Sequence, residues 1–305
     1  MPVGRAETGL RVMQCSPRGS EPVSQSLLAR LRPATGPTAS GSAPGGRVAF
    51  HDVKTPADVE PFSCSVVVPV RDDAAELRGL LAALAQQTEP PLELIVVDNG
   101  SQDEGAALAR TAGCTVITHP EPSIAAAAAA GYDRARGDLI VRCDADSRPP
   151  PGWLRAHRLA HTRAGSATVL VTGPGRFRLP FPLSGILSGL YVGAYLLSTA
   201  AALGHFPAFG TTMSMRRSWW QQVREETSRS AEVHDDMDLS FRVRPEQRVR
   251  VTRTVTVGMS IRALQLSRDP LRRWRRAVST LRRNWRLERP WERWATRLSV
   301  RRPGR

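Results

Sequence analysis

From Cys64 to Cys143 the chain alternates short apolar runs with stretches of helical spacing, and this alternation limits the fold more than any other feature. The apolar runs are "CSVVVPV" (64–70), "LELIVV" (92–97), "CTVIT" (114–118) and "DLIVRC" (138–143). Between them lie "AAELRGLLAALAQQ" (74–87), with Leu77, Leu80, Leu81 and Leu84 at three-four spacing, "DEGAALARTAG" (103–113), closed by Gly113, and "SIAAAAAAGYDRA" (123–135). Apolar strands without alternation are buried on both faces, and strand–helix repeats build parallel sheets. The expectation is an α/β fold with a mostly parallel central sheet flanked by helices. In such a sheet ligands bind beyond the carboxyl ends of the strands.

The second half is less regular. "ATVLVTGPG" (167–175) reads as a strand, "MRRSWWQQVREE" (215–226) as a helix, and "VRVTRTVTVG" (249–258) as one alternating strand. Residues 1–46 are rich in Pro, Gly, Ser and Thr without an apolar period and are expected to be disordered. The chain then divides into a domain over 47–263, with halves 62–150 and 151–263, and a basic helical tail over 264–305. The net charge is +15, and Lys54 is the single lysine. Such charge suits nucleic acid, anionic lipid or phosphorylated substrates and does not choose among them. Cys15, Cys64, Cys114 and Cys143 form no C-x-x-C pair and read as reduced thiols. The first twenty residues hold three arginines and no apolar run, so no secretory signal is expected. The expected location is the cytoplasm, including the inner face of the cell membrane.

The apolar run ending at Cys143 stops in Asp144-Ala145-Asp146, followed by Pro149, Pro150 and Pro151. Two carboxylates one residue apart at a strand end suit a hard divalent cation that shares a diphosphate. The competing reading is a solvated turn with Asp146 capping the next helix. "VVDNGSQDE" (96–104) ends the neighbouring strand, where Asp98 and Asn99 offer acceptor and amide groups and Gly100 permits a sharp turn; an Asx turn with Ser101 as helix cap is the alternative. Pro69 and Val70 end the first strand at the same edge. Further on, "EVHDDMDLSFR" (232–242) gathers acids that could deprotonate a hydroxyl, or that simply favour a helix N-terminus.

In their order, "VVVPV", "VVDNGS", the small-residue helix ending in Gly131, "GDLIVRCDADSRPPPGWL", "FGTTMSMRRSWW" and "HDDMDLSFR" resemble the family 2 glycosyltransferases, over roughly residues 62–260. The resemblance implies a GT-A fold and a metal-dependent inverting transfer from a nucleoside-diphosphate sugar to an acceptor hydroxyl, with a cell-envelope or lipid-linked acceptor. It implies that Pro69, Val70, Asp98 and Asn99 contact the nucleotide, and that Asp144 and Asp146 hold the ribose and an Mn²⁺- or Mg²⁺-bound diphosphate. Asp236 would be the catalytic base, with His234 and Asp235 shaping the site on the acceptor side. Three positions depart from the family pattern: the loop Val70-Arg71-Asp72-Asp73, Asn99 in place of a second aspartate, and Ala128-Ala129 in place of Arg-Asn. The run Ala125 to Ala130 reads as packing against the sheet. A sugar nucleotidyltransferase is the nearest other enzyme, but "VVVPVRDDAAE" lacks its Gly-rich loop. A basic lipid- or nucleic-acid-binding protein with a degenerate catalytic domain is the non-enzymatic alternative.

His157 and His161, four apart, read as a solvated helix face rather than a metal pair, and His205 as a hydrogen-bonded core or interface residue. "GPGR" (173–176) reads as a strand-end turn. Residues 179–204 are uncharged and long enough to span a bilayer, but Pro and Gly interrupt them, and both flanks belong to one domain. A buried or membrane-facing helix is expected. The tail from Arg268 to Arg305 holds fourteen arginines and three acids, with Leu271, Trp274, Val278, Leu281 and Trp285, then Trp291, Trp294 and Leu298, at helical spacing. That pattern suits an anionic membrane surface, or docking of the tryptophans on the catalytic domain, ahead of nucleic acid.

Overall fold

The computed structural model describes residues 62–265 and 270–301. The strand–helix alternation is realised as β1 (Cys64–Val70), α1 (Ala74–Ala85), β2 (Glu93–Asp98), α2 (Gly105–Thr111), β3 (Thr115–Thr118), α3 (Ile124–Arg134) and β4 (Leu139–Cys143). There follow α4 (Trp153–Ala164), β5 (Thr168–Thr172), β6 (Gly175–Phe177), α5 (Leu183–Leu203), β7 (Thr212–Arg216), α6 (Arg217–Val223) and α7 (Asp235–Phe241). Then come β8 (Arg248–Val251), β9 (Val257–Met259), α8 (Arg262–Gln265), α9 (Pro270–Trp285) and α10 (Pro290–Arg301). Seven strands form one sheet in the order β3-β2-β1-β4-β7-β5-β8, with β1 to β4 parallel and β7 antiparallel to both its neighbours. β6 and β9 pair in a small second sheet.

The sheet is covered on both faces. Val66, Val68 and Val70 pack with Leu77, Leu80 and Leu81 of α1 and Trp153 and Leu154 of α4, whereas Val67 joins Ile95, Val97 and Ala127 to Ala129 of α3 on the other face. The alanine run is therefore packing, as its composition predicts. α3 lies so close that a Cβ on Gly131 would sit 2.4 Å from Val67 Cγ1 and 2.9 Å from Val97 Cγ2. Because β2, β1 and β4 are parallel neighbours, their carboxyl ends open on one edge of the sheet.

Several expectations need correction. The segment 249–258 is not one strand: Thr252 caps a 3₁₀ turn over Arg253–Val255, Val255 is buried against the core, and the chain leaves the large sheet at β8 to pair with β6 at β9. Likewise 167–175 breaks after Thr172, and Gly175 starts β6 in the second sheet. The expected helix over 215–226 gives up Met215 and Arg216 to β7, whose Met213 and Met215 point into the core. His157 and His161 are not solvated; both are fully buried and both bond the Ser214 hydroxyl, at 2.7 and 3.0 Å. Burial disfavours their charged forms and lowers both pKa values, His161 to about 3. His205 bonds the Phe206 carbonyl at 2.8 Å. Cys64, Cys114 and Cys143 are buried free thiols. Cys15 and the segment 1–46 expected to be disordered lie outside the described residues.

Candidate active site

The strand-end edge is built by three loops tied to one another. After β1, Asp72 adopts a φ of 49°, its amide donates to Ser101 Oγ, and its carboxylate accepts from the Gln102 amide at 2.7 Å. Ala74 N donates to Asp103 Oδ2, so the loops after β1 and β2 lock together. Ser101 is thus a brace rather than the helix cap of the alternative reading; the N-cap of α2 is Glu104. Gly100 takes the positive φ, 74°, that the turn requires. Asp98 is buried and its Oδ1 accepts from the Ser101 amide, the Asx turn anticipated as an alternative. Asn99 is also buried; its Oδ1 accepts from Ser123 N, and its backbone N–H donates to the Val70 carbonyl. Pro69 and the Val70 side chain lie within the buried strand.

At the end of β4, Asp144 and Asp146 stand on the same edge. Asp146 does not cap α4, whose N-cap is Gly152. The proline run carries the chain across to α1, with the Pro150 and Pro151 carbonyls accepting from Gln87 and Thr88. Asp144 Oδ2 accepts from Thr211 Oγ1 at 2.9 Å. Asp146 sits 3.9 Å from the Arg262 guanidinium, which pairs more closely with Asp73 at 2.6 Å. Burial, together with the charges of Asp144, Asp73 and Glu76, outweighs Arg262 and pushes the Asp146 carboxyl up to about 6.

The acidic helix α7 meets this edge through Arg142. Its guanidinium is buried at the end of β4, ion-paired with Asp235 and 3.3 Å from Asp144. Burial disfavours the charge on Arg142, but Asp235, Tyr132, Asp144 and Asp236 outweigh it and hold the guanidinium protonated. Asp236 accepts from Gly210 N at 3.0 Å and from Met237 N at 2.8 Å. Burial and the charge of Asp235 raise the Asp236 pKa against the pull of His234, Arg142 and the Gly210 amide. Gly210 packs closely on Arg142: a Cβ there would lie 3.1 Å from the guanidinium. His234 turns away: its Nε2 lies 3.2 Å from the Arg273 carbonyl of α9 and its amide donates to Thr280 Oγ1. Asp238 is fully buried with Arg242 and Asn284, which fixes α7 against α9.

The structure thus brings Asp144, Asp146, Asp235 and Asp236 to one place, with Asp98 and Asn99 spent partly on their own loops. Arg142, Arg262, Thr211, Gly210 and Asp73 are the participants that sequence reasoning missed. A charged residue inside "LIVRC" was the visible signal for Arg142; Arg262 and Thr211 arrive through tertiary contacts that no local pattern carries.

The donor set fits a divalent cation. Two carboxylates crowd together against a distant cation, which is an arrangement a hard metal relieves. Among the described residues no group of three His, Cys, Asp or Glu side chains is set to hold a metal. The protein would therefore offer two carboxylates and leave the other positions to phosphate oxygens and water, as Mg²⁺ and Mn²⁺ at phosphate sites commonly do.

A family model described as glycosyl transferase family 2 matches residues 65–222, more than half of the chain. The chain belongs to glycosyl transferase family 2. The undecaprenyl-phosphate 4-deoxy-4-formamido-L-arabinose transferase of Pseudomonas paraeruginosa is 36% identical over 97 residues, which cover 28% of this chain and 29% of that protein. Glycosyltransferase AglE of Haloferax volcanii is 32% identical over 128 residues, 39% of this chain and 41% of that protein. The matched part spans well under half the length of these relatives. A mannosyltransferase from Pyrobaculum calidifontis, solved with GDP-Man and Mn²⁺, superposes with a TM-score of 0.51 at 16% identity over 81% of this chain and 78% of that one. Glucosyl-3-phosphoglycerate synthase from Mycobacterium tuberculosis superposes with a TM-score of 0.50 at 16% identity, over 73% and 80% of the two chains. These likenesses establish the GT-A fold for this family 2 member.

Proposed function

We propose that the protein is a metal-dependent inverting glycosyltransferase that moves a sugar from a nucleoside-diphosphate sugar to an acceptor hydroxyl on a lipid-linked substrate. The observation that carries the reading is the junction at Arg142, which joins the Asp144–Asp146 turn to the acidic pair Asp235–Asp236. A metal side and a base side then face the same strand-end edge. The relatives named for undecaprenyl-phosphate sugar transfer support a lipid-linked acceptor, and the mannosyltransferase solved with GDP-Man and Mn²⁺ supports a nucleotide-sugar donor and a divalent cation.

Asp144 and Asp146 would hold the cation. Bound there, Mn²⁺ or Mg²⁺ would neutralise charge on the diphosphate leaving group. The acceptor oxygen attacks the anomeric carbon as the bond from that carbon to the phosphate oxygen breaks. The electron pair leaves with the nucleoside diphosphate, and Asp236 takes the acceptor proton. One displacement inverts the anomeric centre. Asp236 suits this task because burial and Asp235 raise its proton affinity, while the Gly210 and Met237 amides fix its orientation. Asp98 and Asn99 line the nucleotide end, braced by Ser101 and Ser123.

The test is release of nucleoside diphosphate from UDP-, GDP- and dTDP-sugars in the presence of Mn²⁺ and a polyprenyl-linked sugar that offers a free hydroxyl, with the product anomer read by NMR. The expected product has the opposite anomeric configuration to the donor and is absent with Asp236→Asn. A product of retained configuration, or equal turnover by Asp236→Asn, refutes the proposal.

A further inference from the structure

One face of α5 has no protein covering it. Leu183, Ile186, Leu190, Ala194, Leu197 and Ala201 recur at three-four spacing and are all exposed, with Leu190 and Leu197 at 67% and 69%. The stripe is apolar over about 27 Å of helix. The opposite face, with Ser184, Ser188, Val192, Thr199 and Leu203, is buried on the domain. α5 is long and apolar enough to cross a bilayer by composition, but its contacts argue that it does not. Ser184 and Ser188 bond the Phe177 backbone of β6, and the Tyr195 hydroxyl donates to the Ala208 carbonyl ahead of β7. Insertion across a membrane would pull α5 away from β6 and from the segment that leads into β7.

The stripe continues onto the tail. At its end the Ala201 carbonyl accepts the Trp294 indole N–H at 2.9 Å, and a Cβ on Gly204 would lie 3.1 Å from Arg297 Cδ, so α10 packs directly on α5. Trp291, Trp294 and Leu298 then form an exposed row on α10. The Arg289 guanidinium stacks 5.4 Å above the Trp291 ring and places positive charge at the edge of that row. Immediately upstream, Arg286 and Leu287 lead into a concavity of about 730 Å³ lined also by Arg275, Arg282 and Arg283. None of these four arginines forms an ion pair among the described residues. The concavity also includes Glu226, which lies 3.8 Å from Arg244, while Glu288 pairs with Arg293 and Glu292 accepts from the Arg289 amide. By contrast, Ala277, Leu281 and Trp285 of α9 pack on Leu203, Met237 and Phe241, so part of the tail does dock on the domain.

We propose that the α5 stripe and the α10 row form one surface that seats the protein in the plane of an anionic lipid bilayer, with the α9 arginines receiving lipid phosphates. An apolar band edged by tryptophan and arginine matches the layering of a membrane interface. A second copy of this chain fits poorly, because a two-fold contact would bring the same arginines face to face. The surface stands independently of the donor chemistry, and lipid binding is read without turnover.

The experiment is co-flotation of the full chain with vesicles of phosphatidylcholine alone and of phosphatidylcholine mixed with phosphatidylglycerol, at low and high salt. The surface predicts binding to the mixed vesicles, weakened by salt. Leu190→Glu with Leu197→Glu should lower partitioning by about tenfold or more, and Arg282→Glu with Arg286→Glu should remove the preference for anionic lipid. Hydrogen exchange on the wild-type protein supplies a readout free of folding defects, with 183–203 and 291–298 gaining protection on vesicles. Unchanged partitioning of the Leu190→Glu, Leu197→Glu variant overturns the proposal. So does protection confined to other segments, or a dimer by light scattering that the same variant dissociates.

Discussion

Replacing Arg142 by methionine removes the cation that two acidic segments share and leaves a volume the core can still fill. The Arg142 side chain is 5% exposed, Asp235 17% and Asp144 38%. Breaking a buried ion pair from one side costs roughly 3–5 kcal/mol, because the partner is stranded without compensation. Asp144 is exposed enough for water to screen it, so its share is discounted to near zero. Asp235 retains some solvent, which brings the expected loss to about 2–3 kcal/mol. For a domain of this size that corresponds to a fall in Tm of roughly 4–12 °C, read by circular dichroism in metal-free buffer at neutral pH. Adding Asp235→Asn to Arg142→Met removes the stranded charge and should recover much of the loss. A melting temperature for Arg142→Met close to wild type, or a double variant as unstable as the sum of the two singles, would mean that Arg142 does not hold Asp235 as a buried ion pair.

Asp146→Asn should raise the metal-free melting temperature at neutral pH and abolish stabilisation by Mn²⁺ with nucleotide. The carboxyl is pushed from 3.8 to about 6, so its contribution favours the folded state below about pH 4 and is lost as pH rises through about 6, by up to about 3 kcal/mol. A lower melting temperature for the variant under those conditions would contradict this. Since Asp236 must be ionised to accept a proton and its pKa is raised, the acid limb of the rate profile should lie above the usual aspartate range. Asp235→Asn should shift that limb to lower pH, and an upward shift would count against the assignment. Gly131→Ala should cost roughly 1–3 kcal/mol in urea unfolding through the clash with Val67 and Val97, while a neutral substitution would mean that α3 can move off the sheet.

The parallel half of the sheet was legible because its strands are buried on both faces and its helices keep strict spacing. Val66 to Val70 and Leu77 to Leu84 each report their own environment. The antiparallel half was less so. Thr212-Met213-Ser214-Met215 does alternate, yet the neighbours Trp219 and Trp220 extend a helical reading backwards to Met215, its last residue. The run 249–258 keeps a two-residue period straight through a change of sheet, which depends on Thr252 and the burial of Val255 rather than on periodicity. His157 and His161 look solvated beside arginines, but their face is set by Ser214 on a strand more than fifty residues away. Within the site, motifs located the acids, whereas the groups that contact them, Arg142 excepted, come from distant segments: Thr211 to Asp144, Arg262 to Asp73 and Asp146, and the Gly210 amide to Asp236.

The proposed donor site lies at the ends of β1, β2 and β4, where Asp144 and Asp146 would act with a divalent cation. Calorimetric titration of the full chain with UDP-, GDP- and dTDP-sugars, with Mn²⁺ and with chelator, tests it most directly. The expected result is saturable binding of at least one donor that requires Mn²⁺ and is lost in Asp144→Asn and Asp146→Asn, both still folded. Binding that is indifferent to metal and to these substitutions, or no binding of any donor by the folded protein with Mn²⁺ present, would contradict it.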